Sequence, residues 1–504
     1  MFLTLRADKD AYITNRIING NSQTDGNVGA AGSLDLFKLY GLTSSGSVPN
    51  IELSRLLIHF DLTPLRTAVS SGRIDLTGSS FSCRLHLFDV YGGQPTPNNF
   101  SVAVNALSAS FDEGLGRDVV FYSDSDVCNW NSGSYASGSW FVSGCGLVGN
   151  STASFDYYGN ISAASSQAFI TGEEDLDVDV TAAVQAAIIG VIPDSGFRIA
   201  LSPSLESDQH TYFVKRFASR TAFNSDLHPA LYVRFDDSIQ DDTNNAALDQ
   251  NNELFMYNYV RSTLANLMSA SSPVTGIDCL SLRFIGDFPQ AAMTSSTYVS
   301  PTFPVSQLMF GAASQVGIYS ASVMLSSNDP NLLPQWQTSG SVKLTPVWGS
   351  LDGTVAYLTG SEITFNVPQR GPQAMVPKHF EVTVLGIRDS FFPTEQTFLR
   401  VNIFDYTQSY LVTVNRLPVE LPGIVVRDVF YQIRDSVTGR IAIPFDMVTN
   451  STRVSNDNKG MYFKLDCSNL TPQHTYVVDI MVVTEDNTQF YKAASPAFRV
   501  DVAP

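Results

Sequence analysis

The chain has 504 residues, of which 44% are hydrophobic and 15% are charged, and this composition excludes a wholly disordered protein. Its 30 Lys and Arg residues against 48 Asp and Glu residues give a net charge of -18, which argues against binding to nucleic acid or to an anionic membrane surface. A chain of this length is expected to form about three domains.

Cysteine spacing and the opening segment predict a protein that folds in a reducing cytosol. The five cysteines are scattered, and no two have the C-x-x-C spacing of a zinc or redox site, so we expect reduced structural thiols. Cys128 and Cys145 are the one pair worth considering for a bridge. The opening residues MFLTLRAD lack the apolar core of a secretion signal, and no stretch approaches the ~20 apolar residues of a membrane span.

Short tracts of alternating polarity in the first 240 residues predict antiparallel strands. In the tract SRLLIHFDL, Leu56, Ile58 and Phe60 fall on one face, because side chains alternate faces along a strand. Leu57 and His59 fall on the opposite, wetter face. Residues 175–181 and 229–236 alternate in the same way. Half-buried antiparallel strands of this kind are typical of a β-sandwich.

The segment 128–160 is the richest candidate for recognition. It mixes aromatic residues with Ser, Gly and Asn, a composition that partner-binding loops use. Its candidate binding residues are Trp130, Tyr135, Trp140, Tyr157 and Tyr158. In one interpretation these rings stack on a sugar or a partner protein. In the other, Trp130 and Trp140 fill the sandwich core beneath a long loop.

Two acidic clusters suggest structural calcium. One lies in residues 173–179, and the other supplies the candidate metal ligands Asp236, Asp237, Asp241 and Asp242. Calcium takes about six to eight oxygen ligands, which carboxylates at this density could supply. We favour the other interpretation, that these acids are solvated loop charges and strand faces and that the protein has no cofactor.

Composition divides the chain into three predicted domains. Residues 238–252 are acidic and polar and are predicted to form a linker after a first domain at 1–237. A second domain follows at 253–372, where residues 253–267 alternate like a strand but could also line a helix; we expect a strand and then a turn of helix. Prolines near its end interrupt any sheet, so residues 373–504 are predicted as the last domain.

The last domain carries the signature of a tyrosine corner. In LTPQHTYVV a tight turn precedes a strand whose first aromatic residue is Tyr476, and its hydroxyl is expected to reach back to the backbone near Leu470. The corner is a feature of Greek-key sandwiches. The predicted fold class is therefore all-β, with a jelly-roll-like sandwich followed by two smaller immunoglobulin- or fibronectin-like sandwiches.

Motifs of enzymatic chemistry are absent from the sequence. It has no G-x-S-x-G elbow, no H-E-x-x-H, no P-loop and no G-x-G-x-x-G that opens a helix. The six histidines are spread singly and are predicted to be strand or turn residues. We therefore predict a protein that is not an enzyme.

Several motifs, taken in order, resemble the DNRLRE domain family. They are DAYI at 10–13, NVG at 27–29, RLLIHFDL at 55–62, DVT at 179–181 before a short helix, SGFRIAL at 195–201, and FASR at 217–220 leading into PALYV at 229–233. The resemblance covers about the first 237 residues and departs from the family between residues 111 and 158. It implies a jelly-roll-like module similar to carbohydrate-binding modules, with Arg55 and Asp61 as structural residues. Such modules occur in cell-surface proteins and in tailed-phage virion proteins.

Residues 234–242 and 254–261 are also similar to large virion proteins of tailed phages. The resemblance implies a non-enzymatic structural component of the virion, in the neck, tail or baseplate, that links virion proteins or anchors fibres. Its expected partners are other virion proteins and symmetric copies of itself, with no nucleic acid or membrane, in a particle assembled in the host cytoplasm. The alternative is an adsorption protein that holds host surface polysaccharide with the aromatic residues around Trp130 and Trp140.

Overall fold

The structure, a computed structural model, describes residues 1–42, 49–93, 95–120, 126–134, 138–149, 154–160, 165–288, 297–310, 313–367, 378–405, 423–484 and 487–502. The chain forms two compact units. The N-terminal unit comprises Phe2–Ala68 and Ser79–Phe235, and the C-terminal unit comprises Met1, Val69–Gly78 and Asp236–Pro504. Residues 69–78, predicted as part of the first domain, therefore belong to the C-terminal unit.

The described strands of the N-terminal unit range from two to 13 residues, and most of them lie in one ten-stranded antiparallel sheet system. Its strands are β1 Phe2–Thr14, β2 Ile17–Ile18, β3 Asn21–Ser22, β4 Ser33–Leu42, β5 Pro49–Phe60, β6 Ser82–Leu87, β7 Phe100–Ala106, β8 Ser132–Ser134, β9 Gly138–Ser139, β10 Val148–Gly149, β11 Tyr157–Tyr158, β12 Ser166–Phe169, β13 Leu176–Asp179, β14 Phe197–Leu201, β15 Tyr212–Ala218 and β16 Ala230–Arg234. The helices are α1 Thr63–Ser70, which runs past the end of the unit, α2 Thr181–Ile188 and α3 Pro203–Ser207.

Strand β1 joins the two parts of this sheet system. Its residues 2–6 pair with β16, which continues through β6 to β13, whereas residues 7–14 pair with β5, which continues through β14 and β7 to β12. The pairing register shifts between Ala7 and Lys9, a β-bulge of the kind that bends a strand from one layer into another. Strands β4 and β15 extend the system beside β5.

Strand β5 is buried on both faces. Leu56, Ile58 and Phe60 lie in the core as predicted. Leu57, on the face predicted to be wetter, is also fully buried, because it packs in a second cluster with Trp130 and Trp140. The expectation of one wet face was therefore wrong at this strand.

The middle part of the C-terminal unit is an eight-stranded sheet system with the order β17-β25-β24-β22-β26-β27, in which β23 pairs with β22 and β28 pairs with β26. Its elements are β17 Asn252–Tyr257, β18 Tyr259–Val260, β19 Thr263–Leu264, β20 Met268–Ser269, β21 Ser272–Pro273, β22 Leu280–Asp287, β23 Thr297–Val299, β24 Phe303–Phe310, β25 Ala313–Val323, α4 Leu333–Ser339, β26 Ser341–Gly349, β27 Ala356–Thr359 and β28 Ile363–Asn366. Strand β17 forms as expected. The expected turn of helix does not, because β18 and β19 pair as a hairpin.

The last part of the C-terminal unit has two sheets, with the orders β29-β31-β35-β34 and β30-β38-β36-β32-β33, and β37 pairs with β36. Its strands are β29 Phe380–Leu385, β30 Ser390–Phe391, β31 Gln396–Asp405, β32 Asp428–Asp435, β33 Ile441–Ile443, β34 Ser455–Asp457, β35 Gly460–Asp466, β36 Thr475–Val483, β37 Thr488–Tyr491 and β38 Phe498–Val500. The predicted all-β, sandwich-containing fold class is confirmed. The α-helices of the described residues are short, none longer than eight residues.

The prediction that residues 238–252 form an acidic linker was wrong. Its backbone pairs with the edge of β34: the Asp241 N–H donates to Asn456 Oδ1 (3.0 Å), and Asn456 Nδ2 donates to the Asp241 carbonyl (3.0 Å). Ala246 and Leu248 are fully buried in the core of the middle sandwich. Asp241, Asp242 and Asn252 are buried and bond to the protein, so the polar composition misled the prediction.

Candidate functional site

Both tryptophans of the predicted recognition segment are buried. Trp130 and Trp140 are each 8% exposed and belong to an apolar cluster made up of Ala11, Ile13, Leu57, Leu107, Phe111, Cys128, Trp130, Trp140 and Cys145. The Trp140 indole donates to the Asn129 carbonyl (3.0 Å). Their burial favours the core-filling interpretation and is incompatible with stacking of these two rings on a ligand.

Arg55 fixes the recognition segment to the sheet. Its guanidinium donates to both carboxylate oxygens of Glu206 (2.9 and 2.8 Å) and to the Gly144 carbonyl (2.6 Å). The same guanidinium lies 5.1 Å from the centre of the Trp130 ring. Because Arg55 is buried, a bidentate partner and a carbonyl are needed to offset its desolvation. Arg55 is therefore structural.

Tyr157 and Tyr158, the other described aromatic candidates, also serve the fold. The Arg198 guanidinium lies 4.3 Å from the centre of the buried Tyr157 ring and donates to the Cys145 carbonyl (2.9 Å). Tyr158 is half-buried, and its carbonyl accepts from Asn105 (3.0 Å). Tyr135 lies outside the described residues.

Asp156 organises this segment, and the sequence reading missed it. Its Oδ1 accepts from the Phe141 N–H (2.8 Å), and its Oδ2 accepts from the Val142 and Leu147 N–H groups (3.1 and 2.8 Å). A buried carboxylate that accepts several backbone donors closes a loop without regular secondary structure. The one sequence signal was a lone acid in a stretch of Ser, Gly, Asn and aromatic residues.

The four candidate metal ligands do not converge on one point. Asp236 accepts from the backbone and hydroxyl of Ser238, and Asp237 pairs with the Met1 ammonium (2.5 Å). Asp241 caps a short 3-10 helix by accepting from the Thr243 N–H (3.0 Å). The fourth, Asp242, accepts from the Glu253 N–H (2.9 Å). Within the described ranges no group of three or more His, Cys, Asp or Glu residues could hold a metal ion.

The acidic cluster at 173–179 is likewise used by the fold. Glu174 accepts from the N–H groups of Ile170, Thr171 and Gly172, and these hydrogen bonds lower the pKa of its carboxyl to about 2. The carbonyls of Gly172 and Glu174 in turn accept from buried Lys215 (2.7 and 2.8 Å). The first acidic cluster is thus a loop anchor.

The two remaining structural candidates each make a local hydrogen bond. Asp61 accepts from the Thr63 N–H (2.9 Å) at the start of α1, and its pKa is lowered, chiefly by its hydrogen bonds to Thr63. The Tyr476 hydroxyl donates to the Thr471 carbonyl (3.1 Å) and accepts from the Thr471 N–H (3.0 Å). These hydrogen bonds from Tyr476 to the Thr471 backbone are the contact expected of a tyrosine corner, one residue beyond Leu470.

A cleft of about 720 Å³ lies within the C-terminal unit. We call it the C-terminal cleft; one wall is formed by β17, β26 and β28, and the other by β31 and the β34–β35 hairpin. On β17, Leu254 and Met256 point into the core, so Phe255 and Tyr257 alternate onto the cleft side. Its volume is in the range of small-ligand sites.

The opposite wall of the C-terminal cleft is a charged and aromatic face. Arg400 donates to both oxygens of Asp457 (2.7 and 2.8 Å), and its guanidinium lies 5.1 Å from the centre of the Tyr462 ring. The Phe398 ring meets Tyr462 edge to face at 5.8 Å. Burial raises the pKa of Tyr462 to about 12, so this hydroxyl is a neutral hydrogen-bonding group at physiological pH.

Two buried polar groups belong to the cleft lining. The Tyr257 hydroxyl is buried and has no hydrogen-bond partner in the described part of the chain, and burial raises its pKa. Burial also raises the pKa of Asp241 to about 6. The sequence reading missed the cleft because its lining extends from residue 241 to residue 462. The available signal was the placing of aromatic residues on the non-core faces of β17 and β31.

Comparison with known proteins yields only weak structural matches. No family model matches the chain, and no curated protein matches it. The structure of the FN1-FN3 domains of chicken CNTN1 is 11% identical, over 69% of this chain and 83% of that chain, with a TM-score of 0.14. The N-terminal four Ig domains of Dscam1 isoform 6.9 are 9% identical, over 61% of this chain and 58% of that chain, with a TM-score of 0.13. Likenesses this weak say nothing about function.

The helices give no sign of a membrane span. Among the described residues, no helix is both long enough and apolar enough to cross a bilayer.

Proposed function

We propose that this chain is a non-enzymatic structural component of a tailed-phage virion, in the neck, tail or baseplate, where it links virion proteins or anchors fibres. Its proposed partners are other virion proteins and symmetric copies of itself, without nucleic acid or membrane. Its proposed location is the virion, assembled in the host cytoplasm. The resemblance of residues 1–237 to the DNRLRE domain supports the phage assignment.

The observation that carries the structural role is the use of buried cations to tie loops to sheets. Lys38 donates to the carbonyls of Leu205 and Asp208 and to the Asp208 carboxylate, each at 2.6 Å. Three acceptors match the three N–H donors of an ammonium group. These bonds join β4 to residues about 170 positions further along the chain. They favour a rigid module over a mobile catalytic site.

The second buried lysine repeats the arrangement. Lys215 donates to the Asp89 carboxylate (2.5 Å) and to the carbonyls of Gly172 and Glu174 (2.7 and 2.8 Å). A module with loops fixed in this way presents the same surface in every copy, as symmetric assembly requires. The net charge of -18 supports the proposal further, because like-charged copies repel one another until they dock on a partner.

The composition of purified particles tests this proposal. Virions of a phage that encodes this chain are banded by density, and each protein is quantified by mass spectrometry against the major capsid protein. We expect a fixed copy number that matches one of the particle symmetries, and an antibody label at the neck, tail or baseplate in negative-stain images. A phage-encoded enzyme of the lysate serves as the carry-over control. Depletion of the chain to the level of that control would contradict the proposal.

A further inference from the structure

The rim of the C-terminal cleft carries exposed aromatic rings. Tyr259 is 61% exposed and Phe398 is 62% exposed, and both line the cleft. Phe398 is held by its edge-to-face contact with Tyr462. An exposed ring held in place in this way offers a flat apolar face that loses little conformational freedom when a ligand covers it.

Beyond these two rings, the cleft lining mixes apolar and polar side chains, and its charges are almost balanced. Amide and hydroxyl side chains line it at Thr243, Asn244, Ser361, Thr364, Asn366 and Asn458. Its carboxylates are Asp241, Glu362 and Asp457, and its cations are Arg400 and Lys459. Arg400 and Asp457 neutralise each other through their paired hydrogen bonds. A ligand that matches this lining offers many hydroxyl groups and little net charge.

An extended peptide cannot add as a strand at two of the edges beside the cleft, because those two edges are already occupied. The Asn456 N–H of β34 donates to the Ile239 carbonyl (2.9 Å). On the other wall, the Asn366 N–H of β28 donates to the Ala246 carbonyl (2.9 Å), and the Asn366 carbonyl accepts from Leu248 (2.9 Å). Adding a strand requires free edge groups. Residues 239–248 therefore block this mode of peptide binding at the edges of β28 and β34.

We propose that the C-terminal cleft binds a short neutral oligosaccharide. The rings of Phe398 and Tyr259 pack against the C–H faces of sugar units, and side chains such as Asn458 hydrogen-bond to the sugar hydroxyls. Acidic sugars are disfavoured, because three carboxylates face two cations in the lining. This inference goes beyond the proposed virion role and does not depend on it.

Binding of the full chain to a printed array of neutral and acidic oligosaccharides, including bacterial surface polysaccharide fragments, tests the inference. Each hit is then titrated by calorimetry. We expect saturable binding to at least one neutral oligosaccharide, and weaker or no binding to its uronic-acid counterpart. Failure of every neutral saccharide on the array, or binding to peptides alone, would overturn the inference.

Paired variants place the binding in the cleft. Phe398→Ala removes an exposed ring and Asn458→Ala removes an exposed amide, and each should weaken binding about five- to tenfold. Phe490→Ala is the matched control, since Phe490 is also 62% exposed in the same unit but does not line the cleft. Its affinity should stay within about twofold of the parent. Equal losses of affinity in Phe398→Ala and Phe490→Ala, or no loss in either cleft variant, would overturn the assignment of binding to the cleft. The composition of virions tests the structural role separately.

Discussion

Lys38 and Lys215 in the N-terminal unit each donate to three oxygens, whereas the Tyr257 hydroxyl in the C-terminal unit has no hydrogen-bond partner in the described part of the chain. In the N-terminal unit, the fold therefore satisfies every N–H donor of these two lysines. In the C-terminal unit, the Tyr257 hydroxyl in the cleft lining is not satisfied by the fold. Satisfied polar groups stabilise a fold, whereas a buried polar group without a partner costs free energy.

Removing the charge of Glu206 is the strongest test of the first half of this comparison. The Glu206→Gln variant leaves the buried guanidiniums of Arg55 and Arg198 without their shared carboxylate. We expect the N-terminal unit to lose about 3 to 5 kcal/mol of unfolding free energy. Hydrogen exchange of N-terminal peptides with denaturant measures it. Glu173→Gln, at an exposed acid of the same unit, is the control, and equal stability of the two variants would break the comparison.

Asp10 is a buried carboxyl of the N-terminal unit whose charged form the fold disfavours. It therefore makes the stability of this unit depend on pH. Burial, reinforced by the charge of Glu113, raises the pKa of Asp10 to about 7. The unfolded chain releases this proton near pH 4 and the folded chain only near pH 7, so raising the pH through that window removes stability. Asp10→Asn should therefore gain stability relative to the parent, by about 4 kcal/mol above pH 7 and nothing below pH 4. Unfolding free energies across pH measure it; a difference that does not change with pH would refute it.

Two tyrosine hydroxyls of the C-terminal unit give a smaller, paired test. Tyr476→Phe leaves the buried Thr471 carbonyl and N–H without their partner, and should lower the unfolding free energy by about 1 to 2 kcal/mol. Tyr257→Phe removes a hydroxyl that has no partner among the described residues, so stability should stay the same or rise by a few tenths of a kcal/mol. Urea unfolding of both variants compares them. Similar losses would mean that Tyr257 is satisfied after all.

Added calcium should have the smallest effect on stability of all these tests. Asp236, Asp237, Asp241 and Asp242 each bond to different partners, so the ion finds no common site there. An ion that binds only the folded state raises the melting temperature. We expect identical melting curves with added calcium and with chelator, with magnesium as the control ion. A calcium-specific rise would restore the metal hypothesis.

Local features of this chain were readable from sequence. The alternation of Leu56, Ile58 and Phe60 predicted a core-facing strand, because the faces of a strand depend only on the spacing of residues. Tyr476 and Thr471 lie five residues apart, so turn geometry alone brings them together. The burial of Trp130 could not be decided from the sequence, because it depends on whether a long segment folds back over β5.

Composition failed where distant segments decide the environment. Residues 238–252 are polar enough to predict a linker, yet the edge of β34, more than 200 residues further on, takes up their backbone groups. The C-terminal cleft could not be predicted from the sequence for the same reason. Tyr257 and Phe398 line the same cleft only after the strands pair.

The sequence by itself determined strand periodicity, turn chemistry and the all-β class, since these follow from residues close together in the chain. Only the tertiary structure decided which polar groups are buried and paired, as for Arg55 with Glu206, and which face a cleft, as for Phe398 and Asn458. The physical reason is that desolvation and hydrogen bonding depend on every neighbour in space, and most of those neighbours are far apart in sequence.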